Sequence, residues 1–287
     1  NGQKIHFYPT NKIRLVIDKN NIIKNKVVNP KFYDSIVPYI DIDIKGRAIY
    51  KNRLMMLDVL ANNNWKRPIY FSPGSFGDDD YIWMKNYLQL DGMVYKLVPI
   101  KTTITKDASQ HDMGCIDSDV MYDLVKKWDW GNGDSPKIYH DPETRRNSIS
   151  YRTNMSRLME QLINEGKFAK AEEIINLGMK KMPLKYYDYY TMVEPFASGY
   201  YAIGKKEKAR KLLTELSAKY QEQLKYFSNY KPSELGTVAM EVVTNIERYR
   251  SLLEVMKKSN DLEFYNENRK IFNMYNHLFK LFDRDDE

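Results

Sequence analysis

Six tyrosines lie close together in the second half of the chain, and their side chains suit ligand binding better than catalysis. They are Tyr186, Tyr187, Tyr189, Tyr190, Tyr200 and Tyr201. A tyrosine offers a flat apolar ring and a hydroxyl group, which suit a sugar ring or the wall of a peptide groove. The alternative interpretation is that half of these rings pack between helices and the rest lie at the surface. We take Tyr186, Tyr187, Tyr190 and Tyr200 as candidate ligand-binding residues.

A second candidate binding segment consists of Trp65, Lys66 and Arg67, which follow three consecutive asparagines. A tryptophan face beside two cations could bind a saccharide or a phosphate group. Asparagine also tolerates the left-handed conformation that ends a helix, and Pro68 favours an extended residue before it, so the segment suits a hinge between a helix and a strand. The competing interpretation is that Trp65 and Tyr70 fill the core beneath the helix end.

Two groups of carboxylates could bind a cation or act as a base. Residues Asp78 to Asp80 could ligate a hard cation, but they lack the spacing of a calcium loop, and a helix N-terminus attracts acids without a metal. Asp58 lies within an apolar run, where a buried carboxylate needs a partner such as Arg53 or Arg67. We expect a structural ion pair at Asp58 rather than a general base.

The single cysteine, Cys115, excludes an internal disulfide and lies near His111 and Asp112. This spacing does not by itself bring a thiol and a base into catalytic geometry. The four histidines lack zinc-site spacing, and the chain has no glycine-rich phosphate loop, GxSxG or HExxH motif. We predict no catalytic residue, no metal site and no cofactor in this chain.

Composition indicates a globular chain without a nucleic-acid partner. The 287 residues suffice for two modest domains, and 43% of them are hydrophobic. The net charge of +7 is spread over the whole chain, whereas a nucleic-acid-binding protein concentrates its cations in a patch. No apolar run approaches the ~18 residues of a transmembrane helix. Because the sequence opens Asn-Gly-Gln-Lys, we expect it to be part of a longer protein.

The first 147 residues mix strand and helix patterns, which predicts a small α/β domain. Lys12 to Asp18 and the alternating Tyr39 to Ile44 predict strands. Arg47 to Asn63 predicts a largely buried helix, because its apolar residues cover most of the circumference. Ile69 to Phe71 and Met93 to Ile100 predict two further strands, separated by a helix over Asp78 to Leu90. This order predicts a parallel β-α-β unit. A short helix over Asp119 to Trp128 and a polar linker complete the domain.

Residues 148–287 are helical and repeat. Apolar residues from Met155 to Ile163 recur at the helical period, and Gly166 follows them. Gly204 and Ala209 each lie 38 residues after Gly166 and Ala171, against a usual tetratricopeptide (TPR) period of about 34. The fold class we predict is therefore α+β, with a mixed α/β domain over 1–147 and TPR-like helical repeats over 148–287. The predicted pairs are 150–183 and 186–221, followed by a capping pair over 233–282.

Two sequence blocks, LMMLDVLANNNWKRPIYFS and YLQLDGMVYKLVPI, resemble a known family. With the flanking VPYIDIDIKGRAIYKN and WDWGN, they are similar to the C-terminal soluble region of a bacterial family of multi-span membrane proteins. The N-terminal part of that family is similar to dolichyl-phosphate-mannose-type (GT-C) glycosyltransferases. The resemblance covers about Ile13 to Tyr230. It implies a location on the extracytoplasmic (periplasmic) face of the inner membrane, with sugar transfer, if any, catalysed in the membrane part.

The resemblance and the residue patterns together predict a non-catalytic accessory domain. Its partners would be a glycan or protein acceptor and the protein's own N-terminal membrane domain, with no nucleic acid. The alternative is a TPR-like scaffold for protein–protein assembly that has no affinity for sugars. A weaker third interpretation is a free-standing enzyme that uses Asp58 or the aspartates 78–80.

Overall fold

The computed structural model describes residues 10–44, 49–72, 82–104 and 113–279. The chain divides into two compact units, Asn1–Trp128 and Asp129–Glu287. The domain boundary predicted from the sequence, at residue 147, lies inside the helix Pro142–Asn164. Small antiparallel sheets occur only in the first unit among the described residues, and the second unit is helical.

The first sheet of unit 1 is a two-stranded antiparallel ribbon. Strand β1 spans Lys12–Val16 and strand β2 spans Tyr39–Asp43, which confirms both predicted strands. Their alternation has the expected cause: Ile40 and Ile42 are buried, while the residues between them face solvent. On the exposed face, the guanidinium group of Arg14 donates to both oxygens of Asp41, at 2.7 and 2.9 Å.

The second sheet is antiparallel, so the predicted parallel β-α-β unit is wrong. Strands β3 (Tyr70–Phe71), β4 (Leu88–Asp91) and β5 (Val94–Leu97) pair in the order β3-β5-β4. The predicted helix ending at Leu90 is also wrong where the chain is described, since Ile82–Tyr87 forms a 3₁₀ helix that leads directly into β4. A tight turn with Gly92 at φ +67° joins β4 to β5. The Asp91-Gly92 pair is a hairpin signal rather than a helix end.

In the described segments of unit 1, three α-helices accompany these sheets: α1 (Lys19–Lys24), α2 (Lys51–Asn63) and α3 (Ser118–Lys126). The prediction that α2 is largely buried is wrong. Leu57 and Leu60 are buried, but Leu54, Met55 and Val59 are each about half exposed. Apolar residues surround this helix, yet only one of its sides packs against the described part of the unit.

Unit 2, as far as residue 279, contains three helical hairpins. They consist of α4 (Pro142–Asn164) with α5 (Phe168–Lys181), α6 (Glu194–Ala202) with α7 (Lys206–Phe227), and α9 (Ala239–Lys258) with α10 (Leu262–His277). A single turn, α8 (Pro232–Leu235), precedes the third hairpin. Helix α6 also packs against α4, α5 and α9, and α7 packs against α9, so each hairpin contacts the next.

The three hairpins share one turn geometry. Gly166, Gly204 and Asn260 occupy it with φ of +72°, +75° and +57°. In each turn the residue that follows donates its N–H to a carbonyl five residues earlier: Lys167 to Leu162, Lys205 to Tyr200, and Asp261 to Met256. Glycine adopts a positive φ without strain, and asparagine is the residue that replaces it best, so the third hairpin keeps the turn without the glycine.

Small residues allow close crossing between the helices. A Cβ added at Gly178 would lie 3.2 Å from both Met155 Cε and Phe196 Cε2. Ala171 is fully buried. Gly199 provides a further close crossing, because a Cβ there would overlap the sulfur of Met159.

Candidate functional site

The segment that carries Trp65 forms the C-terminal end of helix α2, where the chain turns in the left-handed conformation. Asn64 and Trp65 both have positive φ, at +46° and +58°, and end α2. The side chain of Asn63 donates to the carbonyl of Arg67 at 2.7 Å and accepts from its N–H at 3.2 Å. Trp65 is buried, with 8% of its surface exposed, whereas Lys66 and Arg67 are exposed. The tryptophan face therefore packs inside unit 1, and only the two cations are accessible to a ligand.

The other predicted chemistry in unit 1 is not assembled into a catalytic site by the described residues. Asp58 is exposed and accepts a hydrogen bond from Asn62 Nδ2 at 3.0 Å, so the expected buried carboxylate is a surface residue. Burial raises the pKa of the Cys115 thiol, which disfavours the nucleophilic thiolate. His111, Asp112 and the aspartates 78–80 lie outside the described residues.

Unit 1 instead contains a polar row across its three-stranded sheet, in which Gln89 and Asp91 are buried and Tyr70 is about half exposed. The strand register aligns Tyr70, Lys96 and Gln89 on neighbouring strands. Asp91 accepts hydrogen bonds from Gln89 Nε2 at 2.8 Å and from the Tyr70 hydroxyl at 3.4 Å. Burial raises the pKa of Asp91 despite these donors. Lys96 donates to the carbonyl of Val27 at 2.6 Å. The carboxylate of Asp91 is buried and accepts its hydrogen bonds from protein side chains, which is typical of a structural network.

In the described part of the chain, no group of three or more histidine, cysteine or acidic side chains is placed to hold a metal ion. None of its helices is both long and apolar enough to span a bilayer. The remaining candidate ligand-binding residues are the tyrosines of unit 2.

Two of those tyrosines pack on a histidine and form a compact aromatic cluster, which we name the Tyr186 platform. It consists of His140, Tyr186 and Tyr187. The His140 ring stacks on Tyr186 with centroids 4.8 Å apart and planes 7° apart, and meets Tyr187 at 5.3 Å in an edge-on contact. His140 and Tyr187 are buried, while Tyr186 is half-buried. Tyr186 is thus a ring with one side supported by the protein.

Hydrogen bonds fix the two buried members of the platform. His140 Nε2 lies 3.1 Å from the carbonyl of Ser135, and the Tyr187 hydroxyl donates to the carbonyl of Gly133 at 3.0 Å. Burial raises the pKa of Tyr187. The exposed Lys185 places its Nζ 5.5 Å from the centroid of the Tyr186 ring. A fixed, partly exposed ring beside a cation has the composition of a site for a flat polar ligand.

Arg152 holds the loop that carries these tyrosines. Its guanidinium is fully buried inside unit 2. It donates to the carbonyl of Met182 at 3.0 Å and to the carbonyl of Asp188, and so grips the 182–188 loop at both ends. Burial lowers the pKa of Arg152 to about 10, so the group stays charged at neutral pH. Its charge lies 5.9 Å from the Tyr187 ring centroid.

Tyr190 belongs to a different set of rings. It contacts Tyr220 edge-on at 5.8 Å, Tyr220 stacks on Tyr249 at 6.3 Å, and Tyr249 meets Phe272 at 5.2 Å. Burial raises the pKa of Tyr190. This row runs through the helix interfaces, so the packing interpretation applies to Tyr190.

Tyr200 lines a groove between α5 and α7, which we name the Tyr200 groove. Its volume is about 260 Å³. Its lining residues are Asn176, Met179, Tyr200, Lys208, Lys211, Leu212 and Glu215. The Tyr200 hydroxyl donates to Asn176 Oδ1 at 2.7 Å, and burial raises the pKa of Tyr200 to about 12. The Tyr200 hydroxyl is therefore uncharged at physiological pH, and its hydrogen bond to Asn176 fixes the ring that lines the groove.

The structure brings Tyr186 and Tyr187 together and separates them from Tyr190 and Tyr200, which lie in other environments. Sequence reasoning missed His140 and Arg152. A signal for Arg152 was present, since it lies three residues before Met155, on the apolar face of the predicted helix. His140 carried no such signal, because its partners Tyr186 and Tyr187 are 46 and 47 residues away.

Comparison with known families finds one matching model. TMEM260-associated domain 2 matches residues 1–120. The match covers most of unit 1 and ends before the helical unit begins. No curated protein and no solved structure matches the chain. Unit 1 is therefore similar to TMEM260-associated domain 2, and this similarity coincides with the two sequence blocks that carry the family resemblance.

Proposed function

We propose that this chain is a non-catalytic accessory domain of a larger membrane protein, in which it holds an acceptor molecule for chemistry performed elsewhere. The observation that carries the proposal is the Tyr186 platform, a partly exposed ring supported by a buried histidine. The platform presents a surface for binding and no paired acid, base or nucleophile among the described side chains around it. The match to TMEM260-associated domain 2 supports a role as one module of a larger assembly.

The helical unit fits this role as a TPR-like module. Its first two hairpins repeat the glycine turn at a spacing of 38 residues, from Gly166 to Gly204. Each hairpin buries one side against the next, as in repeat proteins that expose extended surfaces for partners. In this proposal the mixed unit links the module to the rest of the protein, and the helical unit makes the contact with the acceptor.

The Tyr186 ring supplies the main contact in the proposed complex. A sugar ring or a planar peptide group lies on the accessible side of Tyr186, and Lys185 donates to its oxygens. The stack with His140 keeps the ring in place, so little side-chain freedom is lost on binding. Aromatic contacts of this kind contribute about 0.5–1.5 kcal/mol beyond the area they bury. The expected affinity is therefore modest and depends on one residue.

The wider proposal follows the family resemblance. The parent protein would carry a GT-C-like N-terminal membrane part, and this chain would lie on the extracytoplasmic side of the membrane. Its partners would be a glycan or protein acceptor and that membrane part. Sugar transfer would occur in the membrane part, where acceptor positioning raises the rate through proximity.

NMR titration of the whole chain tests the platform directly. Mannobiose and an uncharged Ser-Gly peptide are added separately, and the resonances of Tyr186 and Tyr187 are followed. We expect one of them to shift these resonances, and Tyr186→Ala to weaken binding at least tenfold. Tyr139→Ala is the matched control, because Tyr139 adjoins His140 in sequence but is 81% exposed. Unchanged Tyr186 resonances with both probes would refute the proposal.

Protein–protein assembly without affinity for sugars is the second candidate function. The Tyr200 groove favours it, because the groove is small, at about 260 Å³, and is lined by the apolar side chains of Met179 and Leu212 and by the buried Tyr200 ring. In that case a peptide with a bulky apolar side chain shifts the resonances of Met179 and Leu212, while mannobiose shifts nothing in unit 2. Adding such a peptide to the titration therefore separates the two functions.

A further inference from the structure

Helices α5 and α7 form the two sides of the Tyr200 groove, and the groove separates them. Helices α5 and α7 both pack against α6, and Tyr200 of α6 forms the floor between them. Leu212 and Tyr200 are each 5% exposed, and Met179 is half-buried. The volume of about 260 Å³ is smaller than most small-molecule sites, which begin near 300 Å³. It suits one bulky apolar side chain, as an anchor in a protein interface does.

The polar groups at one end of the groove are already engaged with each other. Lys208 Nζ lies 2.7 Å from Glu172 Oε1, and Lys205 Nζ lies 3.3 Å from Glu172 Oε2, so these side chains join α7 to α5. Tyr200 is engaged with Asn176. The hydroxyl of Tyr200 is therefore already paired, and Lys211 and Glu215 supply further charged groups to the lining of the groove.

The charges around the groove favour an acidic partner. Three lysines (205, 208 and 211) face two glutamates (172 and 215), and the first two lysines share one carboxylate. Lys211 is exposed and forms no ion pair with a described residue. A carboxylate next to the anchor would pair with Lys211 and with the surplus charge at Lys205 and Lys208. A basic partner would meet an excess of like charge.

We propose that the Tyr200 groove binds a partner protein through one bulky apolar side chain flanked by acidic residues. This inference rests on the second candidate function, assembly, and is independent of the Tyr186 platform. The apolar side chain occupies the space between Met179 and Leu212, and an adjacent carboxylate pairs with Lys211.

Four synthetic peptides with blocked ends test the proposal. Three of them have a central leucine, which is flanked by aspartate and glutamate in the first, by serine and glycine in the second, and by lysine in the third. A fourth replaces the leucine of the acidic peptide by alanine. Binding to the whole chain is measured by ¹H–¹³C NMR of the methyl groups of Met179 and Leu212. We expect the acidic leucine peptide to bind at least tenfold more tightly than the lysine peptide and the alanine peptide.

Charge variants complete the test. Lys211→Glu is expected to weaken the acidic peptide about tenfold, while Lys225→Glu, an exposed lysine near the end of the same helix, leaves its affinity within twofold. Tyr186→Ala leaves it unchanged. Equal affinity of the acidic and neutral peptides overturns the preference for acidic partners, but it remains compatible with the protein–protein assembly role. Absence of methyl shifts with every peptide overturns both the inference and the assembly role.

Discussion

The hydroxyl group of Ser251 on α9 donates a hydrogen bond to Glu194 Oε2 on α6, at 2.9 Å. The other carboxylate oxygen, Oε1, is buried without a hydrogen-bond partner among the described residues. Burial raises the pKa of Glu194 to about 7, although the Ser251 hydroxyl and the charge of Arg248 act in the opposite direction. The interface between the second and third hairpins therefore contains a carboxyl group that is only half ionised near neutral pH.

This carboxyl group makes stability depend on pH. Because the folded-state pKa lies above the ordinary value of 4.5, the folded chain binds the proton more tightly than the unfolded chain. The contribution of Glu194 is thus most favourable below about pH 4.5 and is lost as pH rises to about 7. We expect Glu194→Gln to be more stable than wild type at pH 8 by about 1–2 kcal/mol, after allowance for solvent screening.

Urea unfolding of the two proteins from pH 5 to pH 8 measures this difference. It should grow from pH 5 to about pH 7 and then level off for Glu194→Gln, and it should remain flat for the control Glu241→Gln, which changes an exposed carboxylate in the first turn of α9. Parallel curves for wild type and Glu194→Gln would contradict the account.

Arg152 is expected to be the most sensitive charged residue of unit 2. Its replacement by methionine keeps most of the volume but leaves the carbonyls of Met182 and Asp188 without their donor. Each lost charge-assisted hydrogen bond costs about 1.5–3 kcal/mol, so Arg152→Met should lower the free energy of unfolding by about 3–5 kcal/mol. Arg146→Met, on the exposed face of the same helix, is the control. A loss below about 1 kcal/mol would show that the loop does not need Arg152.

Gly199 tests the close crossing of α6 and α4. A methyl group there would overlap the sulfur of Met159 and lie 3.2 Å from Ile175 Cδ1. Gly199→Ala should therefore cost about 1–3 kcal/mol, and the cost should fall in the Met159→Ala background, where the space is free. Gly236→Ala introduces a methyl group with no atom within 4 Å and serves as control. Additive losses in the double variant would argue against this contact.

His140 should act on ligand binding through Tyr186. We expect His140→Ala to weaken binding at the platform about three- to tenfold, because the ring it supports loses its fixed orientation. His140→Phe keeps a flat ring and should restore most of the affinity. Thermal unfolding of each variant shows whether the fold is retained. If His140→Phe and His140→Ala bind equally weakly, the stack does not support the platform.

Local patterns were sufficient for elements whose residues have a regular period. The helix around Met155 to Ile163 and the ribbon with Ile40 and Ile42 follow from spacing alone, because side chains at the helical or strand period share one face. The predicted helix over Asp78 to Leu90 is wrong from residue 82 onward, because the apolar residues there have no clear helical period and the Asp91-Gly92 pair forms a hairpin turn.

Local sequence patterns could not predict the Tyr186 platform or the contact between Ser251 and Glu194. His140 and Tyr186 are 46 residues apart, and Ser251 and Glu194 are 57 residues apart. Such pairs form only when hairpins pack, and nothing in either segment specifies the partner. The candidate tyrosines were therefore chosen by side-chain chemistry, and the packing sorted them into platform, interior row and groove.

The most direct test of the central claim, that Tyr186 is the contact for an acceptor, is the NMR titration of the whole chain with mannobiose and the uncharged peptide. The account predicts saturable shifts at Tyr186 and Tyr187, a loss of affinity of at least tenfold in Tyr186→Ala, and wild-type affinity in Tyr139→Ala. Shifts that are absent at Tyr186 in the wild type, or shifts at Tyr187 that persist unchanged in Tyr186→Ala, would contradict it.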